Sequence, residues 1–348
     1  MWRMVLRDLQ WRRRRFVLAG LATALVFAMT LLLTGLTTAV HNEGVRTVAR
    51  FHADVWYVAD ANSGPFTSAP RLPMSVVDEV AATLGVERAD PVLFLIDTVD
   101  GTPLRDVNLT ALRADSPSWP EAVSGTSHAG PGEAVVDTDL DFDVGDTISI
   151  DGHPLKVVGE ARKVSRAFGI PTVFTPLEET QQFALGGAPL VSAVAVHGHP
   201  AATPPSVSAL RDRDMEDDLA RPLRRGTDSI RFILILLTVT AAGIVGLIVY
   251  LSTLERTSDL AVLRATGSSK QFVAMTLAIQ GLVLSLGAAV ASVGLAQLLT
   301  PVFPLALEVE AASYAQLLVL ALAVGVLASL AGVWRAIRTD PALAFGGP

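Results

Sequence analysis

The sequence predicts a membrane protein: four transmembrane α-helices with an α+β extracytoplasmic domain inserted between helices 1 and 2. Three observations predict it. Phe16–Val40, Phe232–Leu251, Val273–Leu299 and a run from about Ala311 to Trp334 are each long and free of charge, and about 20 apolar residues suffice to cross a hydrocarbon core. Between the first run and the second lies a stretch with the punctuation of a soluble domain. Charge is also partitioned between the two kinds of segment.

The chain has 348 residues, 51% of them hydrophobic, and a formal charge of −7. That average hides a split. Glu43 to Asp228 holds 28 acidic and 15 basic residues, whereas the remainder holds 6 acidic and 12 basic. An acidic middle segment without a basic, aromatic-interleaved face argues against nucleic acid as a partner. The absence of cysteine excludes disulfides, thiolate catalysis and Cys-ligated zinc or iron–sulfur sites.

Residues 1–15 read as a cytoplasmic basic amphipathic arm. Arg3, Arg7 and the run Arg12, Arg13, Arg14 and Arg15 are interspersed with Trp2 and Trp11, a composition suited to anionic head groups at the water–lipid boundary. Residues 16–40 form the first span, too long for the core of a signal peptide, which is about 7–15 residues.

Residues 41–230 are the extracytoplasmic domain with its stalks. His41 to Arg50 continues the first span as helix, and Asp54–Asp60 alternates as a strand does. Ser75–Gly85 reads as a helix with Ser75 as N-cap and Gly85 as terminator. Pro91–Val99 is a buried strand. Two alternating runs, Val144–Ile150 and Leu155–Ala161, meet at Asp151-Gly152, a strong hairpin signal.

Asp137, Asp139, Asp141 and Asp143 occupy every second position. A calcium loop counted from Asp137 would need glycine sixth and glutamate twelfth; Phe142 and Ile148 stand there. His197 and His199 have no third ligand placed near them, so no metal site is expected. No G-x-S-x-G elbow is present, and catalysis by this domain is not expected. A stalk follows the Pro-rich linker Pro200–Pro205, with an interruption near Pro222. Its Arg221, Arg224 and Arg225 are read as solvated, or as contacts for lipid head groups or a stalk partner.

The closing spans are 231–251, 273–299 and 311–334. The 300–310 loop lacks Lys and Arg and belongs outside; the 252–272 loop and the 335–348 tail are basic and belong inside. Both termini are therefore expected in the cytoplasm of a cell (inner or plasma) membrane protein. Gly281, Gly287, Gly325 and Ser329 are candidates for close helix packing. No ionisable residue lies deep in any span, unlike the usual ion-coupled carrier, so an energy source elsewhere is favoured. The chain has no G-x-x-x-x-G-K-[ST] phosphate loop.

Glu255–Phe272 holds the remaining signal. It is charged, joins two spans, and keeps helical spacing at Leu260, Val262, Leu263 and Ala265 until Gly267, as an amphipathic helix on the membrane face would. The pattern ER-x-x-D-L-A-V-L-R-A-x-G, carried by Glu255, Arg256, Asp259, Leu260, Ala261, Val262, Leu263, Arg264, Ala265 and Gly267, resembles the loop between spans 2 and 3 of MacB/FtsX-like ABC transporter permeases. The passages around Val144–Gly159 and Ile170–Gly186 resemble that family's extracytoplasmic domain, and Trp334–Gly347 its carboxyl end.

The resemblance implies an FtsX-like permease domain at about 231–340 and a MacB-like domain outside. It implies that Glu255, Arg256, Asp259, Leu260, Val262, Leu263, Arg264 and Gly267 form a coupling helix docking on a cytoplasmic ABC ATPase dimer. ATP and Mg would be bound by that partner, with no cofactor in this chain. It further implies a homodimer among membrane lipids that transmits force (mechanotransmission) to export a lipid, lipoprotein or peptide cargo. Two alternatives stay open: an FtsX-like scaffold activating a cell-wall hydrolase, with a hydrolase or adaptor outside, and an amino-acid or other small-solute permease.

Overall fold

The structure is a computed structural model describing residues 13–59, 64–69, 71–101, 104–166, 169–255, 269–302, 307 and 309–338. In chain order the first elements are α1 (Arg13–Ala49), β1 (Val55–Val58), β2 (Leu72–Pro73), α2 (Met74–Ala81), β3 (Val86–Val99), β4 (Arg105–Leu112), β5 (Ala122–Gly125) and β6 (Glu133–Asp137). Then come β7 (Thr147–Ile150), β8 (His153–Ala161), β9 (Thr172–Pro176), α3 (Leu177–Ala184), β10 (Leu190–Val191), β11 (Ala193–Gly198), β12 (Ser208–Leu210) and α4 (Asp212–Ala220). The chain continues with α5 (Arg224–Leu254), α6 (Lys270–Leu299) and α7 (Ala311–Arg338). Two compact units result: Met1–Ala39 with Thr227–Pro348, and Val40–Gly226.

The first unit is a helical bundle. Four of its helices contain windows long and apolar enough to cross a membrane, among the described residues. Their shared core takes Phe27, Leu31 and Leu32 from α1, Ala241, Val245 and Val249 from α5, Leu284 and Ala288 from α6, and Leu317, Ala321, Val324 and Ala328 from α7. Steps of three and four place each set on one helix face. The opposite faces expose Leu18, Leu21, Leu25, Phe232, Val239, Val319 and Leu327. Helices apolar on every side match a lipid surround, and each satisfies its backbone internally.

Packing of α6 on α7 depends on missing side chains. A Cβ built on Gly281 would lie 2.7 Å from the Gly325 carbonyl oxygen and 3.6 Å from Ser329 Cβ, and one on Gly325 would lie 2.5 Å from Ser285 Oγ. Gly287 departs from the expectation: a Cβ there meets nothing within 4 Å. It sits on a different face of α6 from Gly281, so the close approach at Gly281 does not extend to it.

The second unit is built on a ten-stranded sheet in the order β12-β1-β11-β3-β4-β9-β6-β8-β5, with β7 pairing β3 and β8, among the described residues. Neighbours run antiparallel except β4 with β9 and β6 with β8. Alternation sorts side chains to two faces. Trp56, Val58, Val92, Phe94 and Leu112 enter one core; Tyr57, Leu93, Ala111, Val194 and Val196 enter another. Both faces of β3 are covered over Pro91–Phe94, which explains the apolar run there; the expected buried strand does not hold to Val99, since Ile96 is exposed.

The β7–β8 hairpin turns at Asp151-Gly152, where Ile150 pairs with His153 and both turn residues have positive φ, 50° and 74°, the requirement of a type I′ turn. α2 differs from expectation at its start. Its N-cap is Pro73, no side chain caps it, and Met74 N–H donates to Pro189 O. β2 pairs with β10 up to Pro73, so the chain enters the helix directly from a ladder and Ser75 falls inside it. Pro222 lies in a short 3-10 turn, Arg221–Leu223, that separates α4 from α5.

Candidate functional site

The loop singled out by sequence is bracketed by described residues, although Arg256, Asp259, Leu260, Val262, Leu263, Arg264 and Gly267 lie outside them. On its amino side, Glu255 accepts a hydrogen bond from Arg15 Nη1 at 2.7 Å. On its carboxyl side, Ser269 caps α6 by accepting from Phe272 N–H. Further along the helices, Gln280 Nε2 donates to Ser252 Oγ at 3.2 Å, and both residues are buried. In an apolar bundle such a pair is directional where the surrounding contacts are not. Polar contacts thus tie α1 to the residue after α5, and α5 to α6.

Arg13–Arg15 belong to the first turn of α1, continuous with the span. Arg15 pairs with Glu255, where the sequence had suggested contact with head groups; Arg12 lies outside the described residues.

Within the domain unit, the two segments that lead toward the membrane spans are gripped by carboxylates. On α1, buried Glu43 accepts from Gly169 N–H at 3.0 Å. Val48 and Phe51 enter the sheet core, with Phe51 edge-on to Trp56 at 5.1 Å. On α4, buried Asp218 accepts from Phe66 N–H at 2.9 Å and Thr67 Oγ1 at 2.5 Å. Gly64 lies so close to that carboxylate that a Cβ there would clash. Asp212 accepts from Trp56 Nε1 at 2.9 Å, and Met215 is fully buried.

Three ionisable groups lie deep beside α1. Arg166 is 3% exposed, with its guanidinium 5.4 Å from the Phe66 ring and 5.1 Å from the Phe94 ring, a cation–π arrangement. Burial chiefly, then the Arg50 charge, lowers its pKa to about 9, against the opposing pull of Glu43. Arg50 stands 5.4 Å over the Phe174 ring, and burial lowers it to about 10. Buried Asp137 is raised to about 6, first by burial and second by the Asp139 charge.

The aspartate series does not converge. Asp137 accepts from Asp139 N–H, Asp141 takes a left-handed φ of 56° and meets Arg105 at 3.4 Å, and Asp146 caps Asp143 N–H. Among the described residues no group of three His, Asp or Glu is placed to hold a metal ion. His197 Nε2 lies 3.4 Å from Asp90, while His199 presents its carbonyl to Gly85. Arg221 approaches Asp218 at 3.6 Å and Arg224 meets Asp217 at 3.0 Å; the side chain of Arg225 is outside the described residues. Sequence reading missed Arg15–Glu255, Glu43 and Asp218, whose partners are remote in the chain. The one local hint was an acidic residue within an otherwise apolar helix face.

Two families match in tandem: residues 18–212 match the MacB-like periplasmic core domain, and residues 231–341 the C-terminal part of FtsX-like permeases. An uncharacterized ABC transporter permease of Mycobacterium bovis is 37% identical over 344 residues, 99% of each chain. One from Mycobacterium tuberculosis is 37% identical over 345 residues, again 99% of each. Among solved structures, the periplasmic region of MacB from Actinobacillus actinomycetemcomitans is similar with a TM-score of 0.36, 11% identity, 52% of this chain and 87% of that one. The extracellular domain of the noncanonic ABC-type transporter YknZ gives 0.33, 13%, 43% and 84%.

Proposed function

The chain belongs to the MacB/FtsX-type ABC transporter permeases, and from that membership we propose that it turns ATP hydrolysis by a cytoplasmic ATPase into motion of its extracytoplasmic domain. A multi-pass permease of this class implies an ATPase partner, which would bind ATP and its Mg. The loop Glu255–Phe272 is the docking element, with Glu255, Arg256, Asp259, Leu260, Val262, Leu263, Arg264 and Gly267 as the residues that would meet the ATPase. A second copy of the chain completes the assembly, and the cargo is a lipid, lipoprotein or peptide expelled from the outer leaflet or periphery.

One observation carries this reading: the domain grips both of its membrane-leading segments through buried carboxylates, Glu43 on α1 and Asp218 on α4. A displacement of either helix would pull through directional hydrogen bonds on the segments at 66–67 and 169 that flank the sheet, and on strand β1 through Asp212 and Trp56, the condition for rigid-body transmission. The spans carry no buried ionisable path, consistent with force rather than solute crossing the bilayer.

Leu263→Asp and Arg264→Glu test it. Each is expected to lower association with the ATPase and its stimulation while the chain remains membrane-inserted. Unchanged association and stimulation would reject the coupling role. An outer hydrolase recovered with the complex, in place of a cargo, would favour the regulatory scaffold.

A further inference from the structure

The outer domain holds a cavity of about 750 Å³ between the end of α1 and the segment after β8, within the range of small-molecule sites, about 300–1,000 Å³. Its charge is unlike that of the domain around it. Arg46, Arg50, Arg162 and Lys163 line it, and Glu121 is the one acidic residue doing so among the described residues. The domain as a whole carries 28 acidic against 15 basic residues between Glu43 and Asp228. The lining is thus net positive within an acidic domain.

Trp119 is 6% exposed, and its Nε1 already donates to Arg113 O at 2.9 Å, so what it offers to the cavity is ring surface. Arg50 is held over Phe174 and donates to Lys163 O at 3.5 Å. Two residues lining the cavity, His52 and Lys163, have positive φ of 48° and 58°, a conformation that costs non-glycine residues free energy and recurs at ligand sites. Lys163 and Arg162 are exposed into this space. The apolar part of the lining includes Trp119, Pro117, Pro120 and Val123.

We propose that this cavity binds a phosphate-class oxyanion, with Arg162, Lys163 and Arg50 on the anion and the Trp119 wall against whatever the phosphate is attached to. Guanidinium forks and an ammonium suit several oxygens of one group. Two sources share this chemistry, a lipid headgroup and free phosphate. The inference concerns binding alone and does not depend on the coupling cycle.

The test uses the full chain in an uncharged detergent, with calorimetric titration and tryptophan fluorescence. The probes are inorganic phosphate, dihexanoyl phosphatidate, and an uncharged dihexanoyl glycerol. Lys163→Gly relieves the positive φ and should fold at least as well as the parent; Arg162→Ser removes an exposed charge. Each is expected to weaken phosphatidate binding by about tenfold, the scale of one lost charged hydrogen bond. Trp119→Phe should abolish the fluorescence response. Displacement of phosphatidate by inorganic phosphate at similar concentration assigns free phosphate; binding of phosphatidate alone assigns a headgroup. No binding of either anion, affinity for dihexanoyl glycerol equal to that for phosphatidate, or parental affinity in both variants overturns the proposal.

Discussion

Arg15 Nη1 lies 2.7 Å from Glu255 Oε1, joining the first turn of α1 to the residue that follows α5 and opens the cytoplasmic loop. The side chains are 34% and 45% exposed, so the pair contributes at most about 1 kcal/mol to stability. Its value is positional. Arg15→Glu or Glu255→Arg alone should lower ATPase stimulation while moving the thermal midpoint by no more than about 2 °C. The reciprocal double variant should recover stimulation, and a double-mutant cycle on ATPase rates measures that recovery.

Asp218 should behave differently because it is buried. Asp218→Ala leaves Phe66 N–H and Thr67 Oγ1 without their acceptor, a loss of about 2–3 kcal/mol in the domain's unfolding free energy. Asp218→Asn retains one acceptor oxygen and should lose about half as much. Denaturant unfolding followed by fluorescence of Trp56, which donates to the same helix at Asp212, reports the difference.

Gly281 and Gly287 make a paired prediction within one helix. Gly281→Leu places side-chain atoms against the Gly325 carbonyl, already 2.7 Å from a bare Cβ, and should force α6 from α7 and reduce the yield of folded chain. Gly287→Ala meets nothing within 4 Å and should leave the chain as stable as the parent or more so, by up to about 1 kcal/mol, because alanine is the better helix former. Thermal unfolding in detergent separates the two.

Asp137 gives the domain a pH dependence opposite in sign to that of an ion-paired carboxylate. Its folded pKa is raised from 3.8 to about 6, chiefly by burial. The native state therefore holds the proton more tightly. The resulting stability is fully present below pH 3.8 and is lost as the pH rises through about 6. Asp137→Asn removes this titration and keeps the Oδ1 acceptor of Asp139 N–H. The melting difference, variant minus parent, should rise as pH climbs through about 6; a difference that is flat with pH would contradict the assignment.

Local signals in the sequence translated into structure where the determinants were local. Asp151-Gly152 supplied both positive-φ positions of a hairpin turn, and the apolar runs supplied the spans. Ser75 did not become a cap because a partner remote in sequence, β10, carried the chain to Pro73 in a ladder. Asp218, Glu43 and Arg15 find partners 126 to 240 residues away, so no window of sequence exposes them. Arg166 carries no signal of its own in the sequence, and it is buried beside Phe66 and Phe94, from distant segments. At the aspartate series, regular spacing invited a calcium loop that Phe142 and Ile148, at its sixth and twelfth places, argued against, and a left-handed Asp141 turns the chain there.

Motion of the extracytoplasmic domain driven by ATP hydrolysis is read out by a distance measurement between domains. The sequence contains no cysteine, so Ala82→Cys, at an exposed site after α2, gives a single spin label per copy in a complex reconstituted with its ATPase. Double electron–electron resonance should show one inter-label distance distribution without nucleotide and a shifted one with ATP and vanadate, with the shift lost in Leu263→Asp. An unchanged distribution in a complex that is hydrolysing ATP would contradict the account.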